Sequence, residues 1–365
     1  MQAKTILFIV DHLIGGGAER VTLDLCQQLQ NQGHHVSVAC INGSKNRMTT
    51  PPDLQIIDLN LPELNAFGKL WKKKSLNKKQ SQHINQIIQD INPDAIIIGF
   101  WNGHWLSKYI NHPTTYHWIH GELLDIKPTY SILSRLKENI RFFRHARMFK
   151  TLFSKTNIII VNDELKTKYT KIIPTSTIHV LQNGVSSHNQ NLAKKFPLKK
   201  WDAIYVGRLS VEKQPLHAIT AFLHSQLSGN MLIVGDGGLM QDLVSFVHQH
   251  NVTDRITFLG WVHQPHELIA QSKCLVLSSR TEGSPLVTAE ALMIGTPIVA
   301  YECCDGISQQ LHDPEMTIGL VAAQDTVQLA KALSIVAQHP YTISEDAQYH
   351  VSIQRMANQF LSIIR

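Results

Sequence analysis

The sequence predicts two α/β domains, each built on a parallel sheet, and three observations carry the prediction. Short aliphatic runs alternate with amphipathic helical stretches from the start: residues 5–10, a helix from about Ala18 with Val21, Leu25 and Leu29 on one stripe, then 35–41. The alternation begins again at 203–209, after a polar, lysine-rich stretch over 186–200 that reads as a linker. A chain of 365 residues also exceeds what one hydrophobic core usually supports.

Composition narrows the class. No apolar run approaches the length of a bilayer span. The apolar opening run is too short for a signal peptide and ends in Asp11-His12 rather than a small-residue cleavage site, so a cytoplasmic protein is expected. The cysteines 26, 40, 274, 303 and 304 form no C-x-x-C pair and read as reduced structural thiols. A net charge of +6 favours an anionic partner. Nucleotide, phospholipid surface and nucleic acid all fit at this level.

In the first half, the triplet Gly15–Gly16–Gly17 follows the first strand but lacks the G-x-G-x-x-G spacing of dinucleotide sites. Residues 45–80 are less regular and carry Lys69, Lys72, Lys73, Lys74, Lys78 and Lys79, either a solvated face or a surface for anionic lipid. A helix over 81–90 leads to a strand at 95–99, and Trp101 to Trp105 follow at the carboxyl edge, where open α/β sheets bind ligands. The next strand, from Tyr116, runs past His117 into a loop at His120-Gly121. Over 135–155, Arg135, Lys137, Arg141, Arg144, Arg147 and Lys150 interleave with Leu136, Ile140, Phe142, Phe143 and Phe149. A membrane surface and a sheet-packed helix with snorkelling arginines share that composition. Strands at 158–161 and 178–181 close the first set.

The second half has strands at 203–209, 231–234, 256–259, 274–277 and 298–301, with helices over 215–223, up to about 250, and 326–337. Its densest chemistry follows the run 274–279. Ser284 suits an N-cap with Pro285 at the first helical position, Leu286, Val287, Ala289, Leu292 and Met293 give an apolar body, and Gly295 suits the stop. A helix starting at the carboxyl end of a strand aims unpaired N–H groups and a partial positive charge at the crevice. Glu282 lies in the turn before it and Glu290 in its second turn. Amides for an anion beside two carboxylates for hydroxyls suit a nucleotide sugar. Arg208 follows the strand at 203 directly and Lys213 comes five residues later, a planar fork and a point charge for phosphate oxygens.

The string E-G-x-P-x4-E-A-L before G-T-P-I-V-A, with G-R-L-x-x-E-K at 207–213 and G-G-G-A-E-R at 15–20, resembles the retaining glycosyltransferases of family 4. The resemblance implies the α/β GT-B fold: two Rossmann-like domains facing across a cleft, 1–196 joined by a C-terminal helix over 346–365, and 197–345. In that helical segment Val351, Ile353, Met356, Phe360 and Ile363 form the stripe to be buried. It further implies that Glu290 binds the donor ribose and Glu282 the donor sugar. The amides of Gly283, Ser284, Pro285, Leu286 and Val287 would line sugar and diphosphate. Arg208 and Lys213 would clamp the diphosphate, Trp261 would lie in the segment receiving the base, Gly16 and Gly17 would approach the donor phosphates, and His120 would contact the donor sugar. His120, Glu282, Arg208 and Lys213 are thus the implied catalytic set. Relatives often read S-G-P-S-E where this chain has Asp305-Gly306-Ile307-Ser308-Gln309, so Gln309 replaces a carboxylate at that place.

The expected reaction moves a sugar from a nucleotide donor, most simply a UDP-sugar, to a saccharide or lipid-linked hydroxyl with retention. Such an enzyme would serve polysaccharide or lipopolysaccharide synthesis, in peripheral contact with anionic membrane. No D-x-D pair or metal triad is evident, so no cofactor or metal is expected. A GT-B nucleotide-sugar epimerase is the alternative. A basic nucleic-acid binder is less favoured, because no aromatic-basic recognition motif appears.

Overall fold

The computed structural model describes residues 2–62, 75–124 and 131–365. The chain divides into two compact units, Met1–Gln182 with Ala357–Arg365, and Asn183–Met356.

The first unit runs β1 (Thr5–Val10), α1 (Gly17–Asn31), β2 (His35–Cys40), β3 (Gln55–Asp58), α2 (Lys78–Ile91), β4 (Ala95–Gly99), α3 (Trp101–Leu106), β5 (Thr115–Ile119), α4 (Ile132–Phe153), β6 (Asn157–Ile160), α5 (Asp163–Ile172) and β7 (Thr177–Val180). Its strands form one sheet in the order β3-β2-β1-β4-β5-β6-β7, every pair parallel. Helices on both faces bury β4 throughout, which explains its unbroken aliphatic run. The strand order reverses between β1 and β4, which places a ligand crevice at their carboxyl ends. Residues 357–365 pack on this sheet: Phe360 stacks on Phe8 at 5.8 Å, and the Tyr116 hydroxyl donates to the carbonyl of Ile363 at 3.1 Å.

The second unit contains β8 (Ala203–Val206), α6 (Pro215–His224), β9 (Met231–Val234), α7 (Met240–Gln249), β10 (Ile256–Gly260), α8 (His266–Ala270), β11 (Leu275–Leu277), α9 (Leu286–Ile294), β12 (Ile298–Glu302), α10 (Asp305–Gln310), β13 (Leu320–Ala322), α11 (Thr326–Gln338) and α12 (Glu345–His350). A last helix, α13 (Ile353–Ile363), starts here, and its residues from Ala357 on belong to the first unit. The parallel sheet has the order β10-β9-β8-β11-β12-β13 and reverses between β8 and β11. Side chains of β8 alternate between its two cores, Ala203 and Tyr205 to one and Ile204 to the other.

Several details differ from the sequence reading. The segment 186–200 is no free linker: its amide at Asn191 donates to the carbonyl of Met293, and Ala193 sits in the second core. Accordingly the division falls at Gln182 and Asn183 rather than at 196 and 197. The terminal segment breaks into α12 and α13 because Val185 pairs with Ser352, its N–H donating to Val351 and its carbonyl accepting from Ile353. Of the expected stripe, Ile363 is half-buried and Ile364 takes its place in the core. Helix α5 and strand β13 were not anticipated. Among the described residues no helix is long and apolar enough to cross a membrane.

Candidate functional site

In the second unit, the loops leaving β8 and β11 meet where the strand order reverses. The Ser278 hydroxyl donates to the carbonyls of Lys213 and Gln214 at 3.3 and 2.8 Å, and the Arg280 amide donates to the carbonyl of Glu212. These bonds lock the 210–214 loop onto the 278–282 loop. Their side chains converge as well. The Lys213 ammonium donates to both Glu282 oxygens, and the Ser279 hydroxyl reaches Oε1 at 2.6 Å. Glu282 is therefore oriented by two donors before any substrate hydroxyl adds a third.

Arg208 occupies the start of the same loop, exposed, with a guanidinium nitrogen 4.0 Å from Glu212. The loop is held from beneath by the turn after β9. Gly235 has φ +137°, and a Cβ there would overlap the carbonyl of Gly207, so only glycine allows the approach. The Leu209 amide donates to Asp236, and the buried Tyr205 hydroxyl donates to the carbonyl of Arg208 at 3.2 Å. Burial raises the Tyr205 pKa, with the Glu282 and Glu212 carboxylates adding to the effect, so the phenol keeps the proton it donates.

The helix entrance differs by one residue from the sequence reading. Helix α9 begins at Leu286 with Pro285 as its cap in extended backbone, rather than with Ser284 as cap and Pro285 inside. Side chains from distant segments explain the shift. Asn183 donates to the carbonyl of Ser284 at 2.9 Å, and Gln310 donates to that of Pro285 at 3.2 Å. Gly306 packs so closely that a Cβ would stand 2.6 Å from the carbonyl of Gly283. Leu286 and Val287 pack their side chains against the core, leaving their amides for a ligand, whereas Pro285 has no N–H to offer.

Further along the helix, Glu290 is 3.7 Å from the imidazole Nε2 of His266 at the start of α8. Trp261 is 70 % exposed beyond β10, its ring 5.8 Å from that of His263. The structure thus joins Lys213 to Glu282 directly and sets Glu290 beside a histidine that the sequence reading did not single out. Asn183, His266, Ser279 and Gln310 were all missed; each acts through a partner far along the chain or through a side-chain turn no motif marks.

The first unit presents a separate group of residues. Gly16 caps α1, and Gly17 is its first residue; a Cβ on Gly16 would overlap the carboxylate of buried Glu19. Asp11, at the end of β1, accepts from the amides of Asn102 and Gly103 at 3.1 and 2.9 Å and fixes the entrance to α3. His120 follows β5, its ring 4.2 Å from Trp118 and 5.8 Å from Phe100. Both its ring nitrogens are buried without a partner among the described residues. Burial lowers its pKa to about 3, so the ring is neutral and can donate and accept one bond each. His117, on β5 itself, is committed elsewhere: its Nδ1 lies 3.0 Å from Nδ1 of His104 in the core.

No three His, Cys, Asp or Glu side chains converge on a common point among the described residues. Lys69, Lys72, Lys73 and Lys74 lie outside the described residues, while Lys78 and Lys79 are exposed at the start of α2.

Two family models adjoin along the chain. The model for glycosyltransferase family 4 matches residues 15–188, and the model for glycosyl transferases group 1 matches 188–346. An uncharacterized glycosyltransferase of Haemophilus influenzae is 23% identical over 92% of this chain and 91% of its own. UDP-Gal:alpha-D-GlcNAc-diphosphoundecaprenol alpha-1,3-galactosyltransferase of Escherichia coli is 25% identical, covering 78% and 75%. Among solved structures, HepE of Anabaena in complex with UDP and glucose superposes with a TM-score of 0.70 at 17% identity, covering 98% of each chain. With adjoining family models running from residue 15 to residue 346 over two parallel-sheet units, the chain belongs to glycosyltransferase family 4 and has the GT-B fold.

Proposed function

We propose that this glycosyltransferase is a retaining hexosyltransferase that takes its sugar from UDP and places it on a hydroxyl of a saccharide or lipid-linked acceptor, on the cytoplasmic side of a membrane and without a metal. The observation that carries the reading is the convergence of Lys213, Glu282 and Ser279 beside the amides that open α9, at the switch point of the second sheet. UDP as the nucleotide draws support from HepE, solved with UDP and glucose, and from the Escherichia coli relative, named for a UDP-galactose donor. The same relative, named for a diphosphoundecaprenol-linked substrate, supports a lipid-linked acceptor.

The chemistry follows from the charges. As the sugar–phosphate bond breaks, the departing diphosphate gains negative charge that Lys213, Arg208 and the first α9 amides meet from preorganised positions. Glu282, held by Lys213 and Ser279, accepts from a sugar hydroxyl, and Glu290 accepts from the ribose. Neutral His120 keeps the role the resemblance implies, a hydrogen bond to the donor sugar. Retention follows if the acceptor attacks from the face the phosphate leaves, with a phosphate oxygen taking the acceptor proton.

A screen of nucleotide sugars tests this reading, scored by UDP release with and without added saccharide and lipid-diphosphate acceptors. Release that rises only with acceptor is expected, and a product whose anomeric configuration matches the donor's. UDP release independent of acceptor would favour a hydrolase, and conversion of one UDP-sugar into another without net UDP release would favour an epimerase.

A further inference from the structure

Helix α4 has two faces of opposite character. Its inner face, Phe149 and Phe153 with half-buried Phe142 and Leu152, belongs to the core of the first unit. Its outer face exposes Leu133, Leu136, Ile140 and Phe143 at 73, 58, 52 and 73 %. Spaced three or four residues apart, these four form one stripe, and Arg147 extends it a turn further. Exposed Lys137 and Arg144 border the stripe, and exposed Lys150 lies past its end. Glu138, the helix's single acid, is buried and ion-paired with Arg141. The outer face is therefore apolar and cationic, with no carboxylate on it.

Such a face is costly in water and unlike the centre of a protein interface, where lysine is depleted. A large apolar stripe edged by lysine and arginine is instead the pattern of a helix lying in a lipid headgroup layer. We propose that the outer face of α4 is a membrane-docking surface for an anionic bilayer. Leu133, Leu136, Ile140 and Phe143 enter the acyl boundary, while Lys137, Arg144, Arg147 and Lys150 meet lipid phosphates. The idea deepens the reading of a lipid-linked acceptor, since a docked first unit would meet its acceptor in the membrane plane. It requires nothing of the donor chemistry.

The test is co-sedimentation of the full chain with vesicles of phosphatidylcholine containing one-third phosphatidylglycerol, and with phosphatidylcholine alone. The unaltered protein should bind the anionic vesicles and lose binding in high salt. A K137E/R147E/K150E variant should bind roughly a hundredfold more weakly, at about fivefold or more per cation. An L136Q/F143Q variant should lose about tenfold at low salt, where the unaltered protein binds. Both variants should keep their affinity for UDP in calorimetry, which shows that the fold is intact and separates a docking failure from a failure of the donor reading. Absence of the unaltered protein from anionic vesicles would overturn the proposal, as would binding indifferent to both variants. So would a solution dimer that L136Q/F143Q dissociates, because the stripe would then serve a second copy.

Discussion

The Lys213 ammonium lies 2.6 and 2.7 Å from the two carboxylate oxygens of Glu282, with side chains only 30 and 10 % exposed. Two groups to which sequence assigned separate tasks, phosphate clamp and sugar ligand, are therefore one ion-paired unit. The ammonium has three donors, so it can hold the carboxylate and still meet a phosphate oxygen. Each residue positions the other, and neither can be removed without disturbing both.

Lys213→Ala should accordingly cut kcat about a hundred- to a thousandfold, with a smaller rise in donor KM, because its charge matters most as the diphosphate departs. The same change strands a nearly buried carboxylate and should lower the denaturant midpoint. Adding Glu282→Gln to give K213A/E282Q should recover much of that midpoint without restoring turnover. Recovery of activity in the double variant would mean that Lys213 serves only the fold.

Glu290→Ala should weaken UDP binding by about ten- to a hundredfold in calorimetry, the loss of about 1.5–3 kcal/mol for a charge-assisted hydrogen bond. The thermal midpoint should move little, since Glu290 is half-buried and its neighbour His266 remains partly open to water. Unchanged UDP affinity would remove Glu290 from the ribose site.

Turnover should be insensitive to EDTA. Arg208, Lys213 and the amides of Leu286 and Val287 supply positive charge at three places around one loop junction, enough to meet a departing diphosphate. If EDTA abolishes turnover and magnesium or manganese restores it, the clamp is misassigned.

How far the sequence reached depended on the range of the contacts involved. Strands such as β4 and β9 were legible because unbroken aliphatic runs need a buried parallel sheet whatever their neighbours do. The loops carrying Arg208, Lys213, Glu282 and Glu290 were legible through local strings. Their supports were not, since Asn183 reaches Ser284 across 101 positions and a Cβ at Gly306 would press on Gly283. Those contacts also moved the start of α9 by one residue. Helix α5 escaped notice because it buries only Leu165 and Tyr169 beneath a polar, lysine-rich surface. Arg141 looked equivalent to Arg144 and Arg147 in composition, and only the fold shows it turned inward onto Glu138 at 2.8 Å.

The paired histidines of the first core predict how stability responds to acid. His104 and His117 share a bond between their Nδ1 atoms at 3.0 Å, in which one nitrogen donates and the other accepts, so the two rings cannot both be charged. Burial lowers the His117 pKa to about 4 and holds His104 well below its usual range, with His117 adding to the effect. Unfolded, each would titrate near 6.5. Depressed folded values mean that the unfolded chain takes up protons first as pH falls. The stability these rings contribute is complete above about pH 6.5 and is lost progressively toward pH 4. For His117 the loss amounts to about 3 kcal/mol at the acid end. Urea midpoints should therefore be flat above neutrality and decline steeply between pH 6 and pH 4. A His104→Phe/His117→Phe double variant, which removes both partners together, should show a visibly shallower decline over the same interval. An unchanged slope in that variant would place the acid sensitivity elsewhere, with His120 the next group to test.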